Sequence, residues 1–585
     1  MEVPKMDAKP GERDAENATV IADANAKPPD AKPSQQILEG SDPERMTLSG
    51  VKLNLLTLSL CLSLFLSLLD STIVSTALVK ITSALGGFER GSWVVNSYLL
   101  TYTGFLIITA KLSDIFGRRA MVAAGLGIFI VSSIACALAR TLTQLIVFRA
   151  FQGIGGGAMY TMTFVILPEM CTPDQYTLYS TIISCVATMS SLFGPIFGGL
   201  ISQKTDWRWI FWLNVPTGAL CIALLYLAIP SRFPYAHQSE APQISRGALK
   251  KIDSLGALLM LSATTLFLTA LEQSGTGTPW TAALVLAPLL TSVALYAALL
   301  LWSKAQATRT TAQEPLLPWH ILTNRFCLGL FAQAFWMATI MFSLTVALPQ
   351  RFQVVDRASA LSAGYRLLPV TLVDPLGAAL SAYLLSNMRV PAFWLLLVGN
   401  AVQTLGVGLL VLPSANLLAF PASRYGFEAI VGFGLGFTSA ATVLATVLYF
   451  EPRDISVGMG GVGQFRSLGG AIGVAVSVNI LNSHTAAGLS GKLTAEQMAA
   501  IKGSAEAVGG FPAEVQRVVR EAYARGWGWQ AVALTGFGGM GVVMLGLMVE
   551  RKMRRLEKAK GEGGEKAEGG QELEGLEGAE ERRQK

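Results

Sequence analysis

From residue 53 onward the chain repeats one pattern, an apolar stretch of about 18–25 residues followed by a short polar break. Each stretch suffices for a helix crossing a hydrocarbon core of about 30 Å. The stretches lie near 53–76, 92–112, 120–139, 144–165, 179–202, 208–230, 253–272, 281–303, 326–349, 361–385, 391–412, 426–450, 460–482 and 528–549. The pattern predicts an all-α polytopic membrane protein with about fourteen transmembrane helices. Both ends break the pattern. Residues 1–47 are rich in Asp, Lys, Pro and Ala, with no apolar region behind a basic start, which predicts a disordered tail rather than a cleaved signal peptide. The first apolar span then serves as the signal. At the other end a basic cluster (Arg551, Lys552, Arg554, Arg555) runs into Gly- and Glu-rich sequence, read as a stop-transfer anchor with a solvated end.

Composition narrows the class. Of 585 residues, 52% are hydrophobic and 14% charged, too little polar surface to dissolve a globular body. The net charge of +6 does not argue for nucleic acid, because Lys and Arg sit on short loops where they orient a membrane protein. An even number of spans puts both tails on one side. That side carries Lys111, Arg118, Arg119, Arg232, Arg246, Lys250, Lys251, Lys304, Arg309, Arg325, Arg389, Arg453 and the cluster after Arg551, about eighteen basic residues against about eight opposite. Both tails are therefore expected in the cytoplasm and the long loop 483–527, with helix-forming stretches around Leu493–Ile501 and Pro512–Ala524, outside. The six cysteines show no paired spacing, so neither a disulfide framework nor a metal site is expected. His237, His320 and His484 fall on loops, so proton chemistry inside the membrane must use carboxylates.

Several spans carry groups that apolar packing does not require. The turn after the second span reads Ala110-Lys111-Leu112-Ser113-Asp114-Ile115-Phe116-Gly117-Arg118-Arg119. Gly117 allows a sharp reversal, Asp114 can cap a helix, and Arg118 and Arg119 can pair with carboxylates across a closing interface. The alternative is that the arginines only hold topology. In the fourth span Arg149 lies about five residues inside the outer edge, about 7–8 Å deep, and Asp70 about six residues inside the outer end of the first, about 9 Å deep. At one level they can pair when Asp70 is ionised and part when a proton or a cationic substrate neutralises it. The other reading leaves Asp70 in an aqueous vestibule and Arg149 snorkelling. Asp374, near the middle of the tenth span beside Pro375, is a further proton or cation candidate, with a protonated or cytoplasm-hydrated carboxyl as its alternative. Glu272 and Glu428 lie near outer ends and are expected to be solvated. Tyr98, Tyr102, Gln152, Phe335 and Trp336 are candidates for lining a substrate cavity.

The 110–119 turn resembles the signature loop of the major facilitator superfamily, G-x-L-x-D-x-x-G-R-R/K, with Ala110 standing for the first Gly. Gly194-Pro195-Ile196-Phe197-Gly198-Gly199 in the fifth span resembles the G-P-x-x-G-G antiporter motif of proton-coupled exporters. Trp207-Arg208-Trp209-Ile210-Phe211-Trp212-Leu213-Asn214-Val215-Pro216-Thr217-Gly218 is similar to the block that opens the sixth span of fourteen-span drug:proton antiporters. The stretch Leu69–Ile81 looks like that family's L-D-x-T-I-V-N-V-A-L-P-x-I, with Ser75 for Asn and Val79 for Pro. The blocks Gly364-Tyr365-Arg366-Leu367-Leu368-Pro369 and Gln464-Phe465-Arg466-Ser467-Leu468-Gly469-Gly470-Ala471-Ile472-Gly473 resemble fungal members. The resemblance spans about residues 50–550. It implies a tail 1–50, a six-helix half 51–231, a cytoplasmic linker 232–252, two additional spans 253–303, a loop 304–325, a second six-helix half 326–550 and a tail 551–585.

The resemblance implies a monomeric transporter in the cell or vacuolar membrane that exports small organic molecules such as toxins, drugs or secondary metabolites in exchange for protons. In that role Leu112, Asp114, Gly117, Arg118 and Arg119 form the cytoplasmic gate, Gly194, Pro195, Gly198 and Gly199 the antiporter helix, and Asp70, Arg149 and Asp374 the proton-coupling groups. No cofactor is expected. The chain has no G-x-x-x-x-G-K-[ST] loop for ATP phosphates, and no clustered ligands or intramembrane histidine for an enzyme. Uptake of a nutrient or metal chelate by the same fold, or a non-transporting sensor, are the competing readings.

Overall fold

The computed structural model describes residues 48–86, 90–172, 175–230, 233–234, 250–275, 278–309, 313–358, 360–412, 417–493 and 511–550. Both expected tails and most of the linker at 232–252 lie outside these residues, as does most of the stretch Leu493–Ile501. Among the described residues the regular elements are helical: α1 (Gly50–Leu85), α2 (Ser92–Phe116), α3 (Arg118–Ala137), α4 (Leu142–Met170), α5 (Tyr176–Lys204), α6 (Trp209–Ala228), α7 (Ser254–Gly275), α8 (Ala283–Ala307), α9 (Arg325–Val354), α10 (Leu368–Ser386, after the short helix Ala360–Tyr365), α11 (Ala392–Val411), α12 (Ser423–Tyr449), α13 (Ile455–Leu489) and α14 (Ala513–Met544). Each predicted apolar stretch falls on one of them. Twelve are long and apolar enough to cross a bilayer. The two that are not among the twelve are α5, whose apolar run is the shorter Leu178–Ser190, and α13, which is rich in Gly and Ser and carries Arg466.

Helix ends depart from the apolar boundaries where polar residues continue a helix into the headgroup region. The 36 residues of α1 run nine beyond the expected end at 76, because Lys80 and Thr82 are no obstacle to a helix once it leaves the hydrocarbon. At Gly117 (φ 90°) the chain turns back directly from α2 into α3, and the glycine N–H donates to the Ser113 carbonyl at 3.0 Å. Helices also occupy both ends of the segment expected as the loop 483–527. Leu489 of α13 and Val519 and Ala522 of α14 form an apolar cluster with Leu493, Phe511 and Val515, so the amphipathic start of α14 has a partner to pack on.

The helices pack as one arrangement used twice. In the first six, α1 packs on α4, α5 and α6, α2 on α4, and α3 on α4 and α6. Advanced by eight helices the same pairs recur: α9 on α12, α13 and α14, α10 on α12, and α11 on α12 and α14. The halves meet chiefly by α2 against α13 and by α5 against α10, with α4 also touching α13, while α7 and α8 pair with each other and α7 leans on α2 and α13. In a lipid solvent close backbone approach replaces the hydrophobic effect as the glue between helices. Gly436 of α12 faces the Asp374 carbonyl of α10, and a Cβ on Gly155 of α4 would come within 2.7 Å of the Gly125 carbonyl of α3.

Candidate functional site

Asp70 and Arg149 pair inside the first half, with both side chains wholly buried. Asp70 stands on α1 and Arg149 on α4. The pair does not stand alone. Asp70 Oδ2 takes Arg149 Nη1, and Asp70 Oδ1 accepts from Gln152 Nε2 at 3.1 Å and from Asn214 Nδ2 at 3.0 Å. Arg149 Nε donates to the Val94 carbonyl at 3.1 Å and Nη1 to Gln152 Oε1 at 2.9 Å. Ser133 Oγ accepts from Gln152 at 2.9 Å and, more loosely, from Asn214 at 3.4 Å. Arg149 Nη2 has no hydrogen-bond partner, and its guanidinium lies 4.3 Å over the Tyr98 ring. Buried charges are tolerated when paired and hydrogen-bonded, and here three helices, α2, α4 and α6, supply the partners beyond the pair itself. The glycines after Arg149 make room: a Cβ on Gly156 would meet the Tyr98 hydroxyl, which itself donates to the Ser67 carbonyl at 2.8 Å.

At the face that carries Gly117, Arg118 is held from several directions. Its Nη1 donates to Asp114 Oδ1 and Ser113 Oγ, each at 2.6 Å, and its Nη2 reaches Glu169 Oε1 at 2.7 Å and Ser456 Oγ at 2.8 Å. Ser456 Oγ in turn donates to Asp114 Oδ1 at 2.7 Å. Ser456 opens α13, so this cluster ties α2, α3 and α4 of the first half to the second. Beside it Gly460 faces Ala110: a Cβ there would lie 2.8 Å from the alanine Cβ. The glycine that the signature loop lacks at 110 is thus supplied by the opposite helix. Lys111 pairs with Glu314 at 2.7 Å, and Lys251 with the same carboxylate at 3.4 Å. Burial alone would raise the Glu314 carboxyl, but its bond to Lys111 and the two lysine charges outweigh it and hold it below the ordinary range. Arg119 lies over the Tyr226 ring at 4.4 Å, and Leu112 is half-buried.

The remaining sequence candidates are scattered. Gly194 presses α5 onto α1 at Thr72, two residues past Asp70; Gly198 is buried, nothing packs within 4 Å of a Cβ placed on Gly199, and the Pro195 ring lies outside the described side chains. Asp374 is not part of the Asp70 network. It accepts from Thr188 of α5 at 2.9 Å, a bond between the halves. Tyr98 and Gln152 serve the charge pair, whereas Tyr102 continues a ladder of rings, 5.8 Å from Tyr98 and 5.9 Å from Tyr160. Phe335 and Trp336 are half-buried on α9, with Trp336 5.7 Å from Phe537 of α14. One expectation is corrected: Glu428 is not solvated but fully buried, and neither carboxyl oxygen accepts a hydrogen bond. It lies six residues into α12, one turn after the buried Arg424, at an end covered by Phe420 and Trp527. His320, Glu451 and Asp454 gather ligand atoms that could hold a metal, yet Arg453 Nε already sits 2.9 Å from Glu451 and 3.6 Å from Asp454.

Sequence reasoning did not assign Gln152 to the charge pair, and it missed Asn214, Ser133, Glu169 and Ser456. Asn214 alone carried a signal, as the polar residue inside the Trp207–Gly218 block.

Comparison with known proteins agrees with this architecture. Residues 60–474 match the family described as Major Facilitator Superfamily. The MFS-type transporter FPY5 of Fusarium mangiferae is 40% identical, with 87% of this chain and 85% of that one covered. The multidrug transporter protein MdtP of Bacillus subtilis (strain 168) is 28% identical over 76% of this chain and 78% of its own. Among solved structures, the human organic anion transporter MFSD10 superposes with a TM-score of 0.52 at 14% identity, covering 85% of this chain and all of that one.

Proposed function

Because the chain belongs to the major facilitator superfamily, and is a polytopic membrane transporter rather than an enzyme, we propose that it exports small organic molecules in exchange for protons. The observation that carries the reading is the sealed Asp70–Arg149 pair. A carboxylate so enclosed has no structural purpose that apolar residues would not serve as well, whereas a carboxylate that gains and loses a proton beside an arginine converts proton flow into a change of packing. With the tails in the cytoplasm, as the loop charges suggest, the Arg118–Ser456 cluster closes the cytoplasmic side of the seam. Proton arrival at Asp70 loosens Arg149, Gly194 transmits the change from α1 to α5, and the halves rock until the latch parts. Relatives named efflux pumps and multidrug transporters, such as the efflux pump LUC4 of a Fusarium species, favour export over uptake. We place the protein at the cell surface, with the vacuolar membrane as the other site from which such export removes a toxin.

The test is efflux of a cationic dye and of a neutral hydrophobic toxin from cells expressing wild type or Asp70→Asn, with and without a protonophore. Wild type is expected to export at least one compound, the protonophore to stop it, and Asp70→Asn to fail at normal surface expression. Normal efflux by Asp70→Asn removes Asp70 from the mechanism and makes Asp374 the group to test next.

A further inference from the structure

Arg466 lies about six residues inside the apolar stretch 460–482 of α13, roughly 9 Å from its edge at about 1.5 Å per residue, within a layer of about 30 Å. A guanidinium at that depth is costly unless it is paired or faces water. Three buried arginines of the bundle have carboxylates: Arg118 has Asp114 and Glu169, Arg149 has Asp70, and Arg351 has Asp356, while Arg424, near a helix end, donates to the Leu412 carbonyl at 3.0 Å. Arg466 has none among the described residues. Its Nη1 donates to the Tyr160 hydroxyl at 3.2 Å, and its Nη2 lies 3.7 Å from the Met341 sulfur, both neutral groups. Asp374 is within electrostatic reach but is engaged by Thr188.

The surroundings fit a ligand. Tyr160 belongs to α4 in one half and Met341 to α9 in the other, so the guanidinium stands at the seam where the halves meet. Arg466 and Tyr160 are both only half-buried, which leaves the charge approachable. Tyr160 continues into an apolar wall: its ring is 4.9 Å from Phe164 and 5.9 Å from Tyr102, and Gly463 leaves room for α13 to lie against it. A single planar cation beside aromatic faces matches a molecule with one carboxylate or similar anionic group on an apolar body. The fork of the guanidinium takes the anion in two parallel bonds, and the rings cover the remainder. A cation would meet the same positive charge as a barrier.

We propose that Arg466 is the anchor for an anionic group of the transported molecule, which makes amphipathic organic acids the substrate class. The proposal rests on the transport reading for its consequence, but the binding site can be tested without it. The full-length protein in nanodiscs is titrated with 1-pyrenebutyrate and with the neutral 1-pyrenebutanol, and binding is read by energy transfer from its tryptophans. Empty nanodiscs correct for partition. Wild type is expected to prefer the carboxylate by about tenfold or more, the scale of one charge-assisted bidentate contact. Arg466→Gln should lose that preference while binding the alcohol as before. Equal affinities in wild type, or a preference retained by Arg466→Gln, overturn the proposal. If the Gln variant does not fold, Arg466→Lys decides: the retained charge with a lost fork should weaken the carboxylate several-fold and leave the alcohol unchanged, and an unchanged carboxylate affinity overturns the proposal. Carboxylate preference through Arg466 in a protein that moves nothing under a proton gradient would sink the export reading and leave the site standing. Gradient-driven efflux of a neutral toxin with no carboxylate preference would do the reverse.

Discussion

Replacing Asp70 by Asn changes one atom and removes one charge, which isolates what the pair contributes. In the native arrangement Asp70 Oδ1 accepts two side-chain N–H groups and Oδ2 accepts Arg149 Nη1. An amide has only one oxygen. Whichever way it turns, its NH2 faces a donor, either Arg149 or the Gln152 and Asn214 amides, and Arg149 is left buried without a counter-charge. Removing one partner of a buried ion pair costs about 3–5 kcal/mol, a range that here already includes the donor conflict. Replacing both charges is different. Asp70→Asn with Arg149→Gln removes the extra donor to the Val94 carbonyl and leaves a small void but no ion, so the second substitution should recover about 1–3 kcal/mol of the first. The pair would then show a coupling of about 2 kcal/mol or more in a double-mutant cycle. Equilibrium unfolding in mixed micelles, followed by tryptophan fluorescence, measures the four stabilities, and proton-driven efflux from vesicles measures the four activities. All three variants should be inactive, the double variant despite its better fold. The reasoning is refuted if Asp70→Asn unfolds within about 0.5 kcal/mol of wild type, or if the two single costs add to the double within that margin.

Other consequences concern the seam. Ser456→Ala deletes the hydroxyl between Arg118 and Asp114 and should disfavour the latched state by about 1–3 kcal/mol, a shift of about 5- to 150-fold in the two-state ratio. Spin-label distances between the ends of α2 and α13 report it, and an unchanged distribution would deny Ser456 a part in the latch. Gly460→Leu places a side chain against Ala110 and should hold those helix ends apart while each half keeps its melting behaviour; a normal closed population contradicts the packing argument. Glu314 gives a pH dependence. Its folded carboxyl is held below the ordinary range, so its contribution is complete above the unfolded value of about 4.3 and fades only as pH falls through the lowered one. Hydrogen exchange around Leu316, whose N–H donates to Asp253 Oδ2 at 3.1 Å, should therefore stay slow from pH 7 to 5. Loosening within that range would show that the lysine pairing does not hold the segment.

The bundle was legible because its signal is the length of apolar runs, a property that solvent alone imposes on any lipid-facing helix. The same signal was blind to α1 beyond Thr76 and to the start of α14, where amphipathic or polar turns continue a helix outside the hydrocarbon. Asp70 and Arg149 were found by depth, since two buried charges at one level on neighbouring spans have few alternatives. Their neutral partners could not be found that way. Ser133 and Asn214 are ordinary polar residues until α3 and α6 are seen to converge on Asp70, and Ser456 becomes part of the latch only when α13 lies against α2. Glu428 departs from expectation for a related reason: nearness to a helix end is not access to water where Arg424, one turn away, packs against the rings of Phe420 and Trp527.

Every hydrogen-bonding partner of Asp70 and Arg149 comes from α1 to α6, whereas the latch and Arg466 straddle the line along which the halves part. The two routes through the molecule are therefore insulated by different boundaries. Separating the halves leaves the packing around the carboxylate in place, and a disturbance at the carboxylate reaches the seam only through helix contacts such as Gly194 against Thr72. In the proposed cycle this arrangement guards against slip: a stray opening of one boundary would release neither the gradient nor the cargo, because discharge requires both to move in sequence.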